Sequence, residues 1–168
     1  MVMSDAQDAG ILEVAKKWNL PFGVIPVSRF KTRLEVEIEE ALVRSLRAAG
    51  VEFVVLAGYM RLLKSPMLDA FPQAIVNIHP SLLPAFPGME AWRQALAAGV
   101  QVTGCSVHWV DRGMDTGAVI AQREVAVMDG DTPETLHARI QEAERELYPE
   151  VLESIRSARV HASFPARP

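Results

Sequence analysis

The chain has 168 residues, with 17 Lys and Arg against 21 Asp and Glu, so its formal net charge is −4. Hydrophobic residues at 49 % and charged residues at 23 % supply a core for one domain and exclude wholesale disorder, a collagen or a low-complexity tail. The single Cys105 excludes an intrachain disulfide, and an acidic balance gives no counterion-release drive toward nucleic acid. No apolar run reaches 18 residues and 1–5 lack a basic, apolar leader, so no membrane partner and a cytoplasmic setting are expected.

In chain order, 10–18 suits a short helix, and 22–27 is an apolar, β-favouring run closed by Ser28. Thr32 and Glu35 fit a capping box ahead of an amphipathic helix over 34–49 that ends at Gly50. The unbroken apolar run 53–57 predicts a strand covered on both faces, as in a parallel sheet. Ser65 and Pro66 predict an N-cap and first helical position for a helix to residue 70, followed by a strand over 73–78. After a loop containing Pro80, Pro84 and Pro87, a helix is expected over 89–98 and strands over 100–110 and 118–127. Residues 131–134 open a long helix to about residue 157, and the tail after Val160 reads as an edge strand. The alternation predicts an α/β fold, a doubly wound, mostly parallel sheet with helices on both faces.

In such sheets ligands bind beyond the carboxyl ends of strands, which directs attention to residues 58–63, 77–88 and 111–117. Asn77 and His79, two apart on extended backbone, project to one side and can converge on one substrate atom. An amide NH2 and a protonated imidazole both donate hydrogen bonds, which suits an oxygen gaining negative charge during acyl transfer. Asp115, on a Gly-flanked loop, could favour the imidazolium or relay a proton. The plainer readings are a loop cap with a hydrogen-bonded histidine, a rigid proline turn, and a turn-forming aspartate.

Other residues read as structural. Cys105 and His108 face opposite sides of a strand, so they do not make a metal pair, and Cys105 is expected in the core. His137 reads as a solvated surface residue, and Glu142, Glu144, Arg145 and Glu146 as a charged face. Trp18, Trp92 and Trp109 read as core or half-buried packing.

The run Asn77-Ile-His-Pro-Ser-Leu-Leu-Pro-Ala-Phe-Pro-Gly88 and the run Thr103-Gly-Cys-Ser-Val-His-Trp-Val-Asp-Arg-Gly-Met-Asp-Thr-Gly117 closely resemble the folate-dependent formyltransferases. Within them the similarity is greatest to the glycinamide ribonucleotide formyltransferases, and residues 56–63, 130–144 and Tyr148-Pro149 extend it over nearly the whole chain. The resemblance implies a Rossmann-like formyltransferase fold and transfer of a formyl group from 10-formyltetrahydrofolate, the formyl-donor cosubstrate, to the amine of 5′-phosphoribosylglycinamide in purine biosynthesis, without metal. It further implies Asn77, His79 and Asp115 as the catalytic trio. Met60, Arg61, Leu62 and Leu63 would line the pterin pocket, together with Asn77 and the loop Asp111, Arg112, Gly113, Met114 and Asp115. Arg33 would contact the folate side and Glu144 the glycinamide nucleotide.

Family members place a strand, a Gly-x-Gly-Ser-Asn type phosphate loop and a helix ahead of the segment that residues 1–5 resemble. The resemblance therefore implies an N-terminally truncated single domain over 1–168, with small-molecule partners and a monomeric or homodimeric state. A second departure is Ala118, where the family usually has Pro, which would loosen that loop slightly. Competing readings are a 10-formyltetrahydrofolate hydrolase and a non-catalytic folate-binding fragment. A transfer-RNA formyltransferase ranks lower because no basic patch is evident.

Overall fold

The computed structural model describes residues 1–163, with side chains described to residue 159. Two compact units emerge, one made of Met1–Val55 and Tyr59–Ile75, the other of Leu56–Gly58 and the chain from Val76 onward.

The first unit opens with β1 (Val2–Ser4), α1 (Gly10–Lys17) and β2 (Phe22–Val24), a parallel βαβ turn in which Val2 faces Phe22 and Ser4 faces Val24. Three residues of strand carry too little pattern for β1 to be legible in the sequence. Strand β2 is shorter than the apolar run because Pro26 has no N–H to give a ladder, and Ile25 makes the last bond, its N–H donating to the Ser4 carbonyl at 2.8 Å. Helix α1 buries Leu12 and Ala15, whereas Trp18 at its end is 67 % exposed rather than packed.

Helix α2 (Val36–Ala48) buries Leu42 and Leu46, the spacing expected of a core-facing stripe. The expected capping box does not form. Glu35 is the N-cap without a side-chain cap bond, because its Oε1 accepts the Arg29 N–H at 3.0 Å, while the Thr32 carbonyl accepts the Leu62 N–H at 2.9 Å. Both residues therefore fix the loop rather than the helix. Buried Glu39 also reaches out of α2, its Oε1 accepting the Lys64 N–H at 2.7 Å just ahead of α3 (Ser65–Ala70). Lys64 is the N-cap of α3, one residue earlier than the sequence suggested, and Pro66 lies in the first turn where its missing N–H does no harm.

Strands β3 (Val54–Leu56) and β4 (Ile75–His79) pass from the first unit into the second, where β5 (Val102–Trp109) and β6 (Val119–Ala126) complete a sheet in the order β3-β4-β5-β6. The α/β class stands, with mixed pairings: β1 and β2 are parallel, whereas β4, β5 and β6 run antiparallel. The short connection 110–118 between β5 and β6 leaves no room for a crossover helix, so that pair has to be antiparallel. Among the described residues β3 is an edge of its sheet; Val55 is 44 % exposed, so the run 53–57 is not covered on both faces as its composition suggested.

Helix α4 (Ala91–Ala97) precedes β5, and α5 (Pro133–Ser163) packs along β5 and β6. Leu136, Ile140, Leu147 and Val151 form the buried stripe of α5. At its start, Thr132 Oγ1 accepts the Thr135 N–H at 3.3 Å and Asp131 pairs with Arg139 at 2.8 Å. Tyr148 ties the helix to the sheet, its hydroxyl placed 2.7 Å from the Leu56 carbonyl and 3.2 Å from that of Val76. His137 is not a free surface residue: its ring stacks on Trp92 of α4, with centroids 3.7 Å apart and planes 5° from parallel. The helix continues past residue 157 through 161–163, where a terminal strand was expected, and residues 164–168 lie outside the described residues.

Candidate active site

Strand β4 places Asn77 and His79 on one face, and the antiparallel register brings His108 opposite Asn77 and Ser106 opposite His79 on β5. Gln122 of β6 in turn lies opposite Ser106. A polar stripe thus crosses three strands at the carboxyl end of β4, all of it within the second unit.

This stripe holds the proline-rich loop. Ser106 Oγ, fully buried, accepts the Leu83 N–H at 2.9 Å and the Gln122 amide at 2.8 Å, and donates to the Ser81 carbonyl at 2.6 Å. Gln122 Nε2 also donates to the Leu83 carbonyl at 2.8 Å, and Ser81 Oγ donates to the Ala85 carbonyl at 2.6 Å. The Leu83-Pro84 peptide is cis. So fastened, the loop presents the Phe86 carbonyl 2.9 Å from His79 Nε2, whose N–H donates to it.

The other ring nitrogen of His79, Nδ1, lies 3.4 Å from Asp115 Oδ2. That oxygen also accepts the Gly88 N–H at 2.8 Å, and Asp115 holds a left-handed backbone with φ of 56°. Both N–H groups of a protonated His79 ring would therefore find oxygen acceptors in a site where the imidazole is only 4 % exposed. His108 is arranged for the opposite state. Its Nδ1–H donates to the Trp109 carbonyl at 2.9 Å, leaving Nε2 to accept from the Asn77 amide at 3.4 Å. Burial lowers the His108 pKa, with the nearby Asp115 carboxylate opposing that shift. Two histidines thus flank one aspartate, with His108 Nε2 3.7 Å from Asp115 Oδ1. Ser106 and Gln122 were not singled out in the sequence, and His108 was weighed only as half of a metal pair with Cys105. The cross-strand register that unites them is the signal, and it exists only once the strands are paired.

In the loop 111–115, Asp111 Oδ1 accepts the Gly113 N–H at 2.9 Å and the Thr116 hydroxyl at 2.7 Å. A Cβ on Gly113 would sit 1.9 Å from Thr116 Oγ1, so only glycine fits there. Met114 is 52 % exposed with its thioether beside Gly88, and Arg112 is exposed.

The remaining candidates for folate lie in the first unit. Arg33 and Leu62 form an isolated parallel bridge. Met60 and Leu62 are exposed apolar side chains, and Leu63 is buried. The Arg61 guanidinium is taken up by Asp5 at 2.9 Å and by the carbonyls of Phe30 and Lys31, so it braces this segment instead of standing free for an anion. Glu144, on α5, is half-buried, and burial pushes its pKa up to about 7. Burial likewise raises the Cys105 thiol to about 11, in keeping with a core residue and not a nucleophile. Among the described residues no group of three or more His, Cys, Asp or Glu could hold a metal ion, and no helix is long and apolar enough to cross a membrane.

The pattern that defines the Formyl transferase family matches residues 1–152. The chain is 41 % identical over 155 residues to a phosphoribosylglycinamide formyltransferase of Bacillus subtilis (strain 168), covering 92 % of this chain and 78 % of that protein. It is 44 % identical over 154 residues to the trifunctional purine biosynthetic protein adenosine-3 of Drosophila pseudoobscura pseudoobscura, covering 90 % of this chain and 11 % of that protein's length. In three dimensions it resembles glycinamide ribonucleotide transformylase 1 of Symbiobacterium toebii, with a TM-score of 0.83 and 49 % identity, covering 89 % of this chain and 70 % of that one.

Proposed function

Since the chain belongs to the formyl transferase family, we propose that it transfers a formyl group from 10-formyltetrahydrofolate to the amine of 5′-phosphoribosylglycinamide, a cytoplasmic step of purine biosynthesis. The observation that carries this reading is the placement of Asp115 3.4 Å from His79, with Asn77 two residues away on the same face of β4. In the reaction the amine attacks the formyl carbon, a carbon–nitrogen bond forms to the acceptor, and the bond to the folate nitrogen breaks. Negative charge develops on the formyl oxygen on the way.

Asn77 supplies an amide donor to that oxygen. Its own orientation is set by the hydrogen bond to His108, which uses one of its two N–H groups and leaves the other. His79, held by Phe86 and paired with Asp115, places a compensating positive charge beside the same strand end. Asp115 keeps that charge in place and takes part in moving the proton released by the attacking amine. Arg33 and Met60–Leu63 act on the folate side, with Met60 and Leu62 giving apolar contact and the backbone of 60–63 reading the pterin edge. The loop 111–115 is assigned to folate binding on the resemblance alone, and Glu144 to contact with the glycinamide nucleotide.

The decisive experiment follows formyl transfer with both substrates and, separately, formate release without the amine. His79→Ala is expected to lower kcat/KM for transfer by roughly 100-fold or more. An unchanged rate in that variant would sink the assignment, and formate release in place of transfer would make the protein a hydrolase.

A further inference from the structure

Ser106 and Gln122 fasten the first half of the proline-rich loop to the sheet, at residues 81 and 83. Its second half carries the groups that meet the residues proposed for catalysis: the Phe86 carbonyl accepts from His79, and the Gly88 N–H donates to Asp115 Oδ2. The backbone of that half is unfavourable. Phe86, Gly88 and Glu90 all hold left-handed conformations, with φ of 54°, 83° and 53°, and residues with a Cβ, such as 86 and 90, enter that region at a cost. Such a segment persists only where its surroundings over-determine it.

Gln94 of α4 spans it. Its amide nitrogen lies 3.0 Å from the Pro87 carbonyl and 3.0 Å from that of Met89, so its two N–H groups meet two carbonyls and the side chain has one orientation. The Pro87 C=O and the Gly88 N–H belong to one trans peptide, a rigid plane in which the two groups point in opposite directions. Fixing the carbonyl on the Gln94 side therefore aims the N–H on the Asp115 side. A carbonyl that accepts a hydrogen bond also polarises its peptide, which makes that N–H the stronger donor. The base of the clamp is itself fixed, because Ala91 and Ala95 of α4 are fully buried and Trp92 stacks on His137 of α5. Resting on the formyltransferase reading, we infer that Gln94 is a positioning residue for formyl transfer, holding the Pro87–Gly88 peptide so that its N–H keeps the Asp115 carboxylate against His79.

Gln94→Met keeps the length and helix propensity of the side chain and removes both donors. It should lower kcat for formyl transfer by about tenfold with KM for both substrates within about twofold, the split expected when catalytic groups are misplaced and substrate contacts are kept. Gln94→Lys restores a donor at similar reach and should bring kcat back to within about threefold of the parent. In an Asp115→Ala background, Gln94→Met should change kcat by less than about twofold, because the group it acts through is gone. Amide hydrogen exchange reads the clamp without substrate: the Gly88 N–H should exchange about tenfold faster in Gln94→Met than in the parent, while the amides of β5 keep their rates. An unchanged Gly88 exchange rate, an unchanged kcat in Gln94→Met, a Gln94→Lys no more active than Gln94→Met, or a full second loss on top of Asp115→Ala overturns the inference. A parent protein without formyl transfer removes the formyltransferase reading instead, and the Gly88 amide then decides the clamp alone. Faster exchange in Gln94→Met that Gln94→Lys reverses upholds it, and equal rates overturn it.

Discussion

Asp115 Oδ2 lies 3.4 Å from His79 Nδ1 while accepting the Gly88 N–H at 2.8 Å, so one carboxylate oxygen joins the loop 111–117 to both the β4 terminus and the proline-rich loop. Asp115→Asn keeps an oxygen for Gly88 but removes the charge beside His79. Formyl transfer should fall by roughly 100-fold in kcat, with thermal stability little changed. A steady-state assay beside a melting curve separates these effects, and a fall in stability without a fall in kcat would contradict the role given to Asp115.

Ser106 is fully buried and serves three hydrogen bonds, two of them from donors that have few alternatives. Ser106→Ala strands the Leu83 N–H, which costs about 1–3 kcal/mol. Because the same loop presents the Phe86 carbonyl to His79, activity should drop together with stability. Denaturant melts and kcat measured on one preparation check both.

His108 has its pKa lowered by burial, so the native state holds it neutral more readily than the unfolded chain does. Between its unfolded value, near 6.5, and its lower folded value, the unfolded state binds more protons. Its contribution is complete above the unfolded value and is lost as pH falls through the folded one. His137, also lowered by burial, acts in the same direction. His108→Gln, which can still accept from Asn77, should reduce the acid-side loss of stability without abolishing it. Unfolding free energies from pH 8 down to 5 would show whether that limb flattens.

Glu144 has the opposite sign. Its pKa is raised by burial from 4.5 to about 7, so protonation favours the native state and stability falls as pH rises through that interval. Glu144→Gln should be the more stable form at pH 8, by no more than about 3 kcal/mol, and the two should converge toward pH 4. Melting temperatures of both proteins across that range test it. If Glu144 meets the glycinamide nucleotide as a carboxylate, nucleotide binding in the parent protein should also strengthen as pH passes 7, and do so less in the variant.

Asn77 and His79 were legible in the sequence because a two-residue spacing on a strand fixes a shared face without any knowledge of neighbours. His108 was not, since its place beside Asn77 depends on the β4–β5 register, set by residues more than 25 positions away. The same distinction explains the capping box. Thr32 and Glu35 have the right local chemistry, but the Arg29 N–H takes the Glu35 carboxylate and the Leu62 N–H ties the Thr32 backbone carbonyl to a distant segment, so both residues serve the loop. Helices α1, α2, α4 and α5 were visible from local period and end signals. The antiparallel run of β4, β5 and β6 and the half-buried stack of His137 on Trp92 required tertiary neighbours.

Strand β3 carries Val54, Val55 and Leu56 at the margin of its sheet, with Val55 exposed. No charged side chain, proline or bulge within the strand blunts that margin, so it has the chemistry of an adhesive seam. The colloidal behaviour of the protein should therefore depend on concentration more steeply than a net charge of −4 suggests. A single lysine at residue 55 would be the smallest change able to keep concentrated solutions clear.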